Sequence, residues 1–237
     1  LDRWQEMTKN HGQSVLLTGE PGIGKSRLVR VLKEQISGTP HVRLECRCSA
    51  DFEHTPLYPV LDLLPRLCGW TRDDSAETKL AKLEKPLARY GVSLPDTIPL
   101  FASLLSLPTS ERYPLAPMSA ERQKRATLDP LSLTVLDIAA ESAVLLIVED
   151  LHWADPSTVE FLTLLLEQVR TARILALFTA RPSFQVPHVW GSHLTTVTLN
   201  RFTAEQTKVM IAHVAGGKTL PGDVLQEIAT KTDGIPL

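Results

Sequence analysis

Runs of consecutive apolar residues alternate along this chain with segments in which apolar residues recur every three or four positions. Residues 143–148 and 174–180 are apolar almost throughout, which is typical of strands that are buried on both faces of a parallel sheet. Residues 14–18 form a shorter apolar run, residues 42–46 alternate, and residues 194–199 are typical of a further strand. Strands separated by helices predict an α/β fold.

Helical periodicity follows two of these strands. Residues 25–36 predict one helix, and a second is predicted to begin at Asp155 and Pro156, which favour the N-cap and the first helical position. The side chains predicted to face inward are Leu28, Val29, Leu32 and Ile36 in the first helix and Val159, Leu162, Leu166 and Val169 in the second.

The middle and the end of the chain are predicted to be helical. Prolines divide residues 51–117 into short pieces, of which 58–67, 75–90 and 97–107 favour helices. Ser119 is a predicted cap for a helix that runs toward Ala140 and is interrupted at Pro130 by a kink or a break. Two further predicted helices follow the last strand: a capping box opens the first, which ends at Gly216-Gly217, and Pro221 opens the second, with Val224, Leu225 and Ile228 inward. These patterns predict a core over residues 1–200, a helical insertion at about 51–117, and the start of a truncated helical lid over 201–237.

A glycine-rich loop joins the first strand to the first long helix. Gly19, Gly24, Lys25 and Ser26 have the G-x-x-x-x-G-K-[ST] spacing of a phosphate-binding loop. Glycines permit positive φ angles and let successive backbone N–H groups approach an anion, and the next helix directs its N-terminus at the same anion. Lys25 would then reach the β- and γ-phosphates of a nucleotide, and the Ser26 hydroxyl would ligate Mg²⁺. The alternative is an ordinary Gly/Pro turn between a strand and a helix.

Charged residues follow two of the buried strands. Glu149 and Asp150 end the run at 143–148, and Arg181 ends the run at 174–180. The carboxyl ends of parallel strands meet at one edge of a sheet, where ligands bind in open α/β folds. One acid can hold Mg²⁺ and the other can orient or deprotonate an attacking water. Arg181 could sense a γ-phosphate, or it could form an ion pair at a strand end.

Composition excludes several other classes. The net charge is −2 and no apolar run is long enough for a transmembrane helix, so neither direct nucleic-acid binding nor a membrane partner is expected from this region. The three cysteines, Cys46, Cys48 and Cys68, cannot form a disulfide framework, which favours a reducing compartment, by default the cytoplasm. Cys46-x-Cys48 has no second metal-binding pair after it, which favours ordinary thiols over zinc.

Four motifs in the same chain resemble the signal-transduction ATPases with numerous domains (STAND), a branch of the AAA-like P-loop proteins. The similarity is greatest to ATPase modules that lie beside nucleotidyl-cyclase or DNA-binding domains and precede TPR-like repeats. The motifs are Gly19-Glu20-Pro21-Gly22-Ile23-Gly24-Lys25-Ser26, Leu146-Ile147-Val148-Glu149-Asp150-Leu151-His152-Trp153-Ala154-Asp155-Pro156-Ser157, Thr179-Ala180-Arg181-Pro182 and Asp233-Gly234-Ile235-Pro236-Leu237.

The resemblance implies a five-stranded parallel sheet in the order 5-1-4-3-2, a helical lid, and ATP with Mg²⁺ as ligands. Lys25 and Ser26 would serve the phosphates and the metal, Glu149 would take the metal-side position and Asp150 the water-activating position. Arg181 would sense the γ-phosphate and Pro236 would lie against the adenine. Many relatives have Asp first in the acidic pair. The residues implied to contact the nucleotide are Gly19, Glu20, Pro21, Gly22, Ile23, Gly24, Lys25, Ser26, Arg27 and Pro236.

The sequence favours an ATP-binding, slowly hydrolysing molecular switch in a multidomain signalling or transcriptional regulator. Its partners would be ATP or ADP and the cyclase, DNA-binding or TPR-like domains of the same polypeptide, and a nucleotide-dependent homo-oligomer is compatible with the resemblance. A non-hydrolysing nucleotide-binding interaction module is the alternative. A small-molecule kinase would share the phosphate loop, but the sequence offers no evident acceptor pocket or arginine-rich closing lid.

Overall fold

Five parallel strands form a single sheet in the computed structural model, which describes residues 1–89, 93–108, 112–114, 117–216 and 221–236. The strands are β1 (Gln13–Thr18), β2 (Val42–Arg47), β3 (Val144–Glu149), β4 (Ile174–Ala180) and β5 (Thr195–Thr198). Their order across the sheet is β2-β3-β4-β1-β5, and every pair is parallel. The predicted fold class and strand order are confirmed.

Helices cover both faces of this sheet. The helices of the described ranges are α1 (Asp2–Thr8), α2 (Lys25–Gln35), α3 (Tyr58–Leu67), α4 (Ala76–Arg89), α5 (Leu94–Leu104), α6 (Ala120–Glu141), α7 (Pro156–Val169), α8 (Ala204–Val214) and α9 (Gly222–Thr232); α8 and α9 pack chiefly on each other. Side chains alternate between the faces of a strand, so β3 contributes Leu145 and Ile147 to the cluster under α1 and α2. It contributes Leu146 and Val148 to the larger cluster under α3 to α7.

The carboxyl ends of four strands meet at one sheet edge. Thr18 is paired with Ala180, which brings the loop after β1 beside the end of β4. Arg47 is paired with Glu149, which brings the end of β2 beside the end of β3. Ligands bind at this edge in open α/β sheets.

The capping residues act as their types predict. Ser119 accepts a hydrogen bond from the Arg122 N–H at the start of α6, and Thr203 and Gln206 form a capping box at α8. Asp155 caps α7 through two backbone N–H groups. Local hydrogen bonding therefore determines where these three helices begin.

Three predictions about helices are corrected. Helix α6 continues through Pro130 without a break; α5 and α7 pack on it, and burial of Leu131 and Val135 offsets the backbone bond that proline cannot make. Leu28 is 45% exposed, since α2 lies on the sheet along a narrower stripe than the sequence predicts. Val224 is 37% exposed, since α9 packs chiefly on α8 and not on the main core. Three residues in predicted motifs or helix ends lie outside the described ranges: Tyr90, Gly217 and Leu237.

No helix in the described ranges combines the length and the apolar character that crossing a lipid bilayer requires.

Candidate functional site

The loop between β1 and α2 requires glycine at three positions. Gly22 and Gly24 have φ angles of 78° and 104°, which strain any residue with a Cβ. A Cβ on Gly19 would lie 2.8 Å from Ile23 Cγ2 and 3.0 Å from the Leu199 carbonyl oxygen. Gly24 is the N-cap of α2 and has no side chain with which to cap it. The first N–H groups of α2 therefore remain suited to an anion.

Lys25 folds back over this loop. Its ammonium group donates to the carbonyl oxygens of Gly19 at 2.7 Å and Glu20 at 2.9 Å, and the residue is 8% exposed. Burial lowers the pKa of Lys25, the Asp150 carboxylate opposes that shift, and Arg181 adds to it. The amine is thus held between the loop and the acids at the sheet edge.

Ser26 and Glu149 are in direct contact although they lie 123 positions apart in the sequence. The Ser26 hydroxyl donates to Glu149 Oε2 at 2.8 Å. Two oxygen ligands from two elements, beside a phosphate-binding loop, match the preference of Mg²⁺ for one or two protein oxygens together with water and phosphate. The residues present fit a magnesium site.

Asp150 is held by two neighbouring strands. Its backbone N–H donates to Thr179 Oγ1 at 3.0 Å, and its φ of 59° turns the chain sharply after β3. Its Oδ2 accepts from Arg47 Nε at 2.8 Å and lies 2.7 Å from Arg47 Nη2. The hydrogen bond and charge of Asp150 raise the pKa of Arg47. Sequence reasoning missed Arg47, although its place at the end of β2 indicates the same sheet edge.

Arg181 completes one wall of a cleft of about 400 Å³. Its guanidinium lies 5.5 Å from the centre of the Trp153 ring, and its backbone N–H donates to His152 Nδ1 at 3.4 Å. The sequence did not single out Trp153 or His152 as site residues. The cleft is lined by Pro21, Gly22, Gly24, Lys25, Ser26, Arg27, Arg47, Asp150, His152, Trp153 and Arg181.

Other predicted nucleotide contacts lie around this cleft without lining it. Ile23 is buried against Gly19, and Glu20 accepts two hydrogen bonds from Arg201. Pro236 stands behind the loop, where a Cβ on Gly24 would lie 3.9 Å from its Cγ. Pro236 also lines an apolar cavity of about 360 Å³ between α8 and α9.

The alternative zinc cluster gains no support from the geometry. Cys46 and Cys48 are buried free thiols, and burial raises the pKa of Cys48 to about 12. Across the described ranges, no three His, Cys, Asp or Glu side chains converge in a metal-binding group.

A curated relative and two solved structures are similar to this chain. An uncharacterized protein of Rhizobium meliloti (strain 1021) is 25% identical over 210 residues, which cover 88% of this chain and 20% of the relative. This chain thus spans only one fifth of that relative. A Signal Transduction ATPase with Numerous Domains with a tetratricopeptide repeat sensor, from Pyrococcus horikoshii, has a TM-score of 0.45 at 13% identity, covering 100% of this chain and 28% of that one. Cdc6p from Pyrobaculum aerophilum has a TM-score of 0.48 at 16% identity, covering 96% of this chain and 51% of that one.

The family model described as the AAA ATPase domain matches residues 1–177. The match includes the phosphate loop and the acidic pair Glu149 and Asp150 at the end of β3, and it extends into β4. It confirms the predicted place among AAA-like P-loop proteins. This chain belongs to the AAA ATPase domain family.

Proposed function

We propose that this chain binds ATP with Mg²⁺, hydrolyses it slowly, and acts as a molecular switch within a longer signalling or transcriptional regulator. The observation that carries the proposal is the contact between Ser26 and Glu149, with Oγ 2.8 Å from Oε2. Glu149 ends β3 and Ser26 is the second residue of α2, so a hydroxyl and a carboxylate come together beside a phosphate loop. A hydroxyl and a carboxylate in this arrangement can hold the Mg²⁺ of a bound nucleoside triphosphate. An ordinary turn between a strand and a helix does not require them.

Each side chain has a chemical role in this proposal. Lys25 exchanges its loop carbonyl partners for β- and γ-phosphate oxygens, and Ser26 and Glu149 hold Mg²⁺. The bound metal supplies charge neutralisation on the phosphates. Asp150 orients and deprotonates the attacking water. Arg181, whose guanidinium lies over Trp153, stabilises charge on the γ-phosphate.

The lid in this proposal is the helix pair α8 and α9, within residues 201–237, and it closes on the core of residues 1–200. What supports this lid is the position of Pro236 beside Gly24. An adenine ring could pack there against Pro236, which also lines the apolar cavity between α8 and α9. ATP and ADP would favour different lid positions, and cyclase, DNA-binding or TPR-like domains of the same polypeptide, or a second copy of it, would respond to the difference. The buried free thiols of Cys46 and Cys48 agree with a reducing cytoplasm.

A test of the binding role compares ATP affinity in the parent and Lys25→Ala chains by calorimetry with Mg²⁺ present. We expect the variant to lose at least about tenfold in affinity, because a charge-assisted bond to phosphate is lost. Lys33→Ala is the matched control, since Lys33 is on the same helix and pairs with Glu45 at 2.8 Å. Unchanged affinity in Lys25→Ala would refute the phosphate-loop assignment.

A second test asks whether the module hydrolyses ATP. It compares steady-state phosphate release by the parent and by the Asp150→Asn variant. Steady-state phosphate release should fall about a hundredfold in Asp150→Asn while ATP binding persists, because an amide cannot accept the proton. A parent that binds ATP without releasing phosphate would instead support a non-hydrolysing interaction module. The two bonds from Arg47 to Asp150 favour this second candidate, because they engage the carboxylate that hydrolysis needs.

A further inference from the structure

Within the described ranges, one of the buried ring nitrogens without a hydrogen-bond partner belongs to a residue that lines the cleft. His152 Nδ1 accepts the backbone N–H of Arg181 at 3.4 Å, so in the neutral ring the proton is on Nε2. His152 Nε2 is shielded from solvent and makes no hydrogen bond in the described part of the chain. A buried donor that lacks an acceptor costs free energy, so each such atom in a native protein requires an explanation, such as a catalytic role or a bound ion or water.

The position of His152 indicates which ligand would supply the acceptor. The residue lines the cleft together with Lys25, Ser26 and Asp150, and the charged groups that act on its ring are Arg181, Asp150 and Lys25. Other buried polar atoms without a partner in the described ranges are Trp70 Nε1, Ser132 Oγ and His193 Nδ1. Those three residues do not line this cleft.

The backbone of the turn that carries His152 is fixed, and the surroundings of the ring favour its neutral form. His152 lies in a 3₁₀ turn, Leu151–Trp153, in which the Trp153 N–H donates to the Asp150 carbonyl at 2.9 Å and Leu151 is 1% exposed. Burial lowers the pKa of His152, and the positive charges of Arg181 and Lys25 lower it further against the opposing charge of Asp150. A neutral, oriented imidazole provides one donor at a fixed place.

We propose that His152 Nε2–H donates a hydrogen bond to the terminal phosphate of the bound nucleoside triphosphate, which makes it a further phosphate-binding residue. The inference rests on the proposed nucleotide site and adds a donor that distinguishes triphosphate from diphosphate. In this proposal Lys25 and the loop amides would contact both nucleotides, whereas His152 would contact only the third phosphate.

Two variants separate the two ring nitrogens. In His152→Asn the side-chain oxygen replaces Nδ1 as the acceptor for the Arg181 N–H, and the distal donor is lost. In His152→Gln an amide N–H replaces Nε2–H, and the acceptor at Nδ1 is lost. Affinities for ADP and for a non-hydrolysable ATP analogue, each with Mg²⁺, are measured by calorimetry for the parent and both variants. ADP binding also reports whether each variant is folded.

We expect His152→Asn to lose about tenfold in affinity for the triphosphate analogue with ADP affinity unchanged, and His152→Gln to resemble the parent for both ligands. The reverse pattern would mean that His152 acts only through the Arg181 backbone, and it would overturn the proposal. Equal affinities in all three proteins would overturn it too. A parent that binds neither nucleotide would overturn the proposed function itself, and the role of His152 with it.

Discussion

One buried carboxylate joins the start of α3 to the start of α7. Asp155 is 3% exposed and accepts from the backbone N–H groups of Ser157 and Thr158, at 2.9 and 3.0 Å, and from the Thr158 hydroxyl. It also accepts from the Leu57 N–H at 3.1 Å, at the N-cap of α3. The sequence predicts the cap because Asp-Pro is a local signal. The bond to Leu57 joins residues 98 positions apart, so local pattern could not reveal it.

Replacing Asp155 with alanine should therefore destabilise more than loss of an ordinary cap. We expect the free energy of unfolding to fall by about 3 kcal/mol, because several buried donors lose their acceptor. Urea denaturation monitored by tryptophan fluorescence measures the change. Asp155→Asn is the control, since its amide oxygen can keep the bonds to the backbone and should cost less. Equal stability of the parent and the alanine variant would contradict this account.

At the scale of elements, one close packing contact fixes the connection between α1 and β1 against the end of α7. A Cβ on Gly12 would lie 1.7 Å from the Val169 carbonyl oxygen and 2.6 Å from that of Ala172. Neither backbone atom can move without displacing the end of α7, so only glycine fits. From the sequence alone, Gly12 is indistinguishable from an ordinary loop glycine. The close contact depends on how α7 lies against β1, and local sequence does not specify that packing.

We expect Gly12→Ala to lower the free energy of unfolding by about 3 kcal/mol, because the added methyl group overlaps backbone. Gly38→Ala is the matched control: a Cβ at Gly38 meets nothing within 4 Å, and its effect should be about 0.5 kcal/mol or less. Urea unfolding of the three proteins gives the comparison. Similar losses of unfolding free energy in Gly12→Ala and Gly38→Ala would show that the Gly12 loop does not pack closely on the end of α7.

Across the whole molecule, Arg201 links the phosphate loop to the end of α9. Its guanidinium bonds Glu20 Oε2 at 2.7 and 3.0 Å and also contacts Asp233. Next to Asp233, the Gly234 carbonyl accepts from the Phe202 N–H at 2.8 Å. Glu20 of the phosphate loop and Asp233 at the end of α9 thus share one guanidinium partner, which connects the loop to the helix pair α8 and α9.

Arg201→Ala should loosen the helix pair and leave overall stability almost unchanged, because these ion pairs are partly exposed and screened by solvent. We expect faster amide hydrogen exchange in α9, measured by mass spectrometry, and a similar increase for the parent at high salt. Lys231→Ala is the control, since Lys231 pairs with Glu227 at 2.7 Å within α9. Parent-like exchange in Arg201→Ala would show that Arg201 does not hold the pair.

The sequence by itself determined the features that depend on neighbouring residues. Apolar runs predicted the buried strands, Asp, Ser and Thr caps predicted helix starts, and spaced glycines with Lys25 predicted the phosphate loop. These signals are local: a buried parallel strand needs apolar residues on both faces, and a loop that wraps an anion needs glycine. The expected meeting of Ser26 with Glu149 also followed, because parallel strands place their carboxyl ends at one edge.

Only the tertiary structure decided which side chains complete that edge. Arg47 reaches Asp150 across 103 positions, and Arg201 reaches Glu20 across 181. His152 Nδ1 accepts the Arg181 N–H only because the end of β4 lies beside the turn that follows β3. Such pairings depend on the order of the strands in the sheet and on where the loop after each strand places its side chains. The spacing of residues along the chain does not encode the strand order or the placement of the loops. These contacts therefore form only when the sheet is assembled.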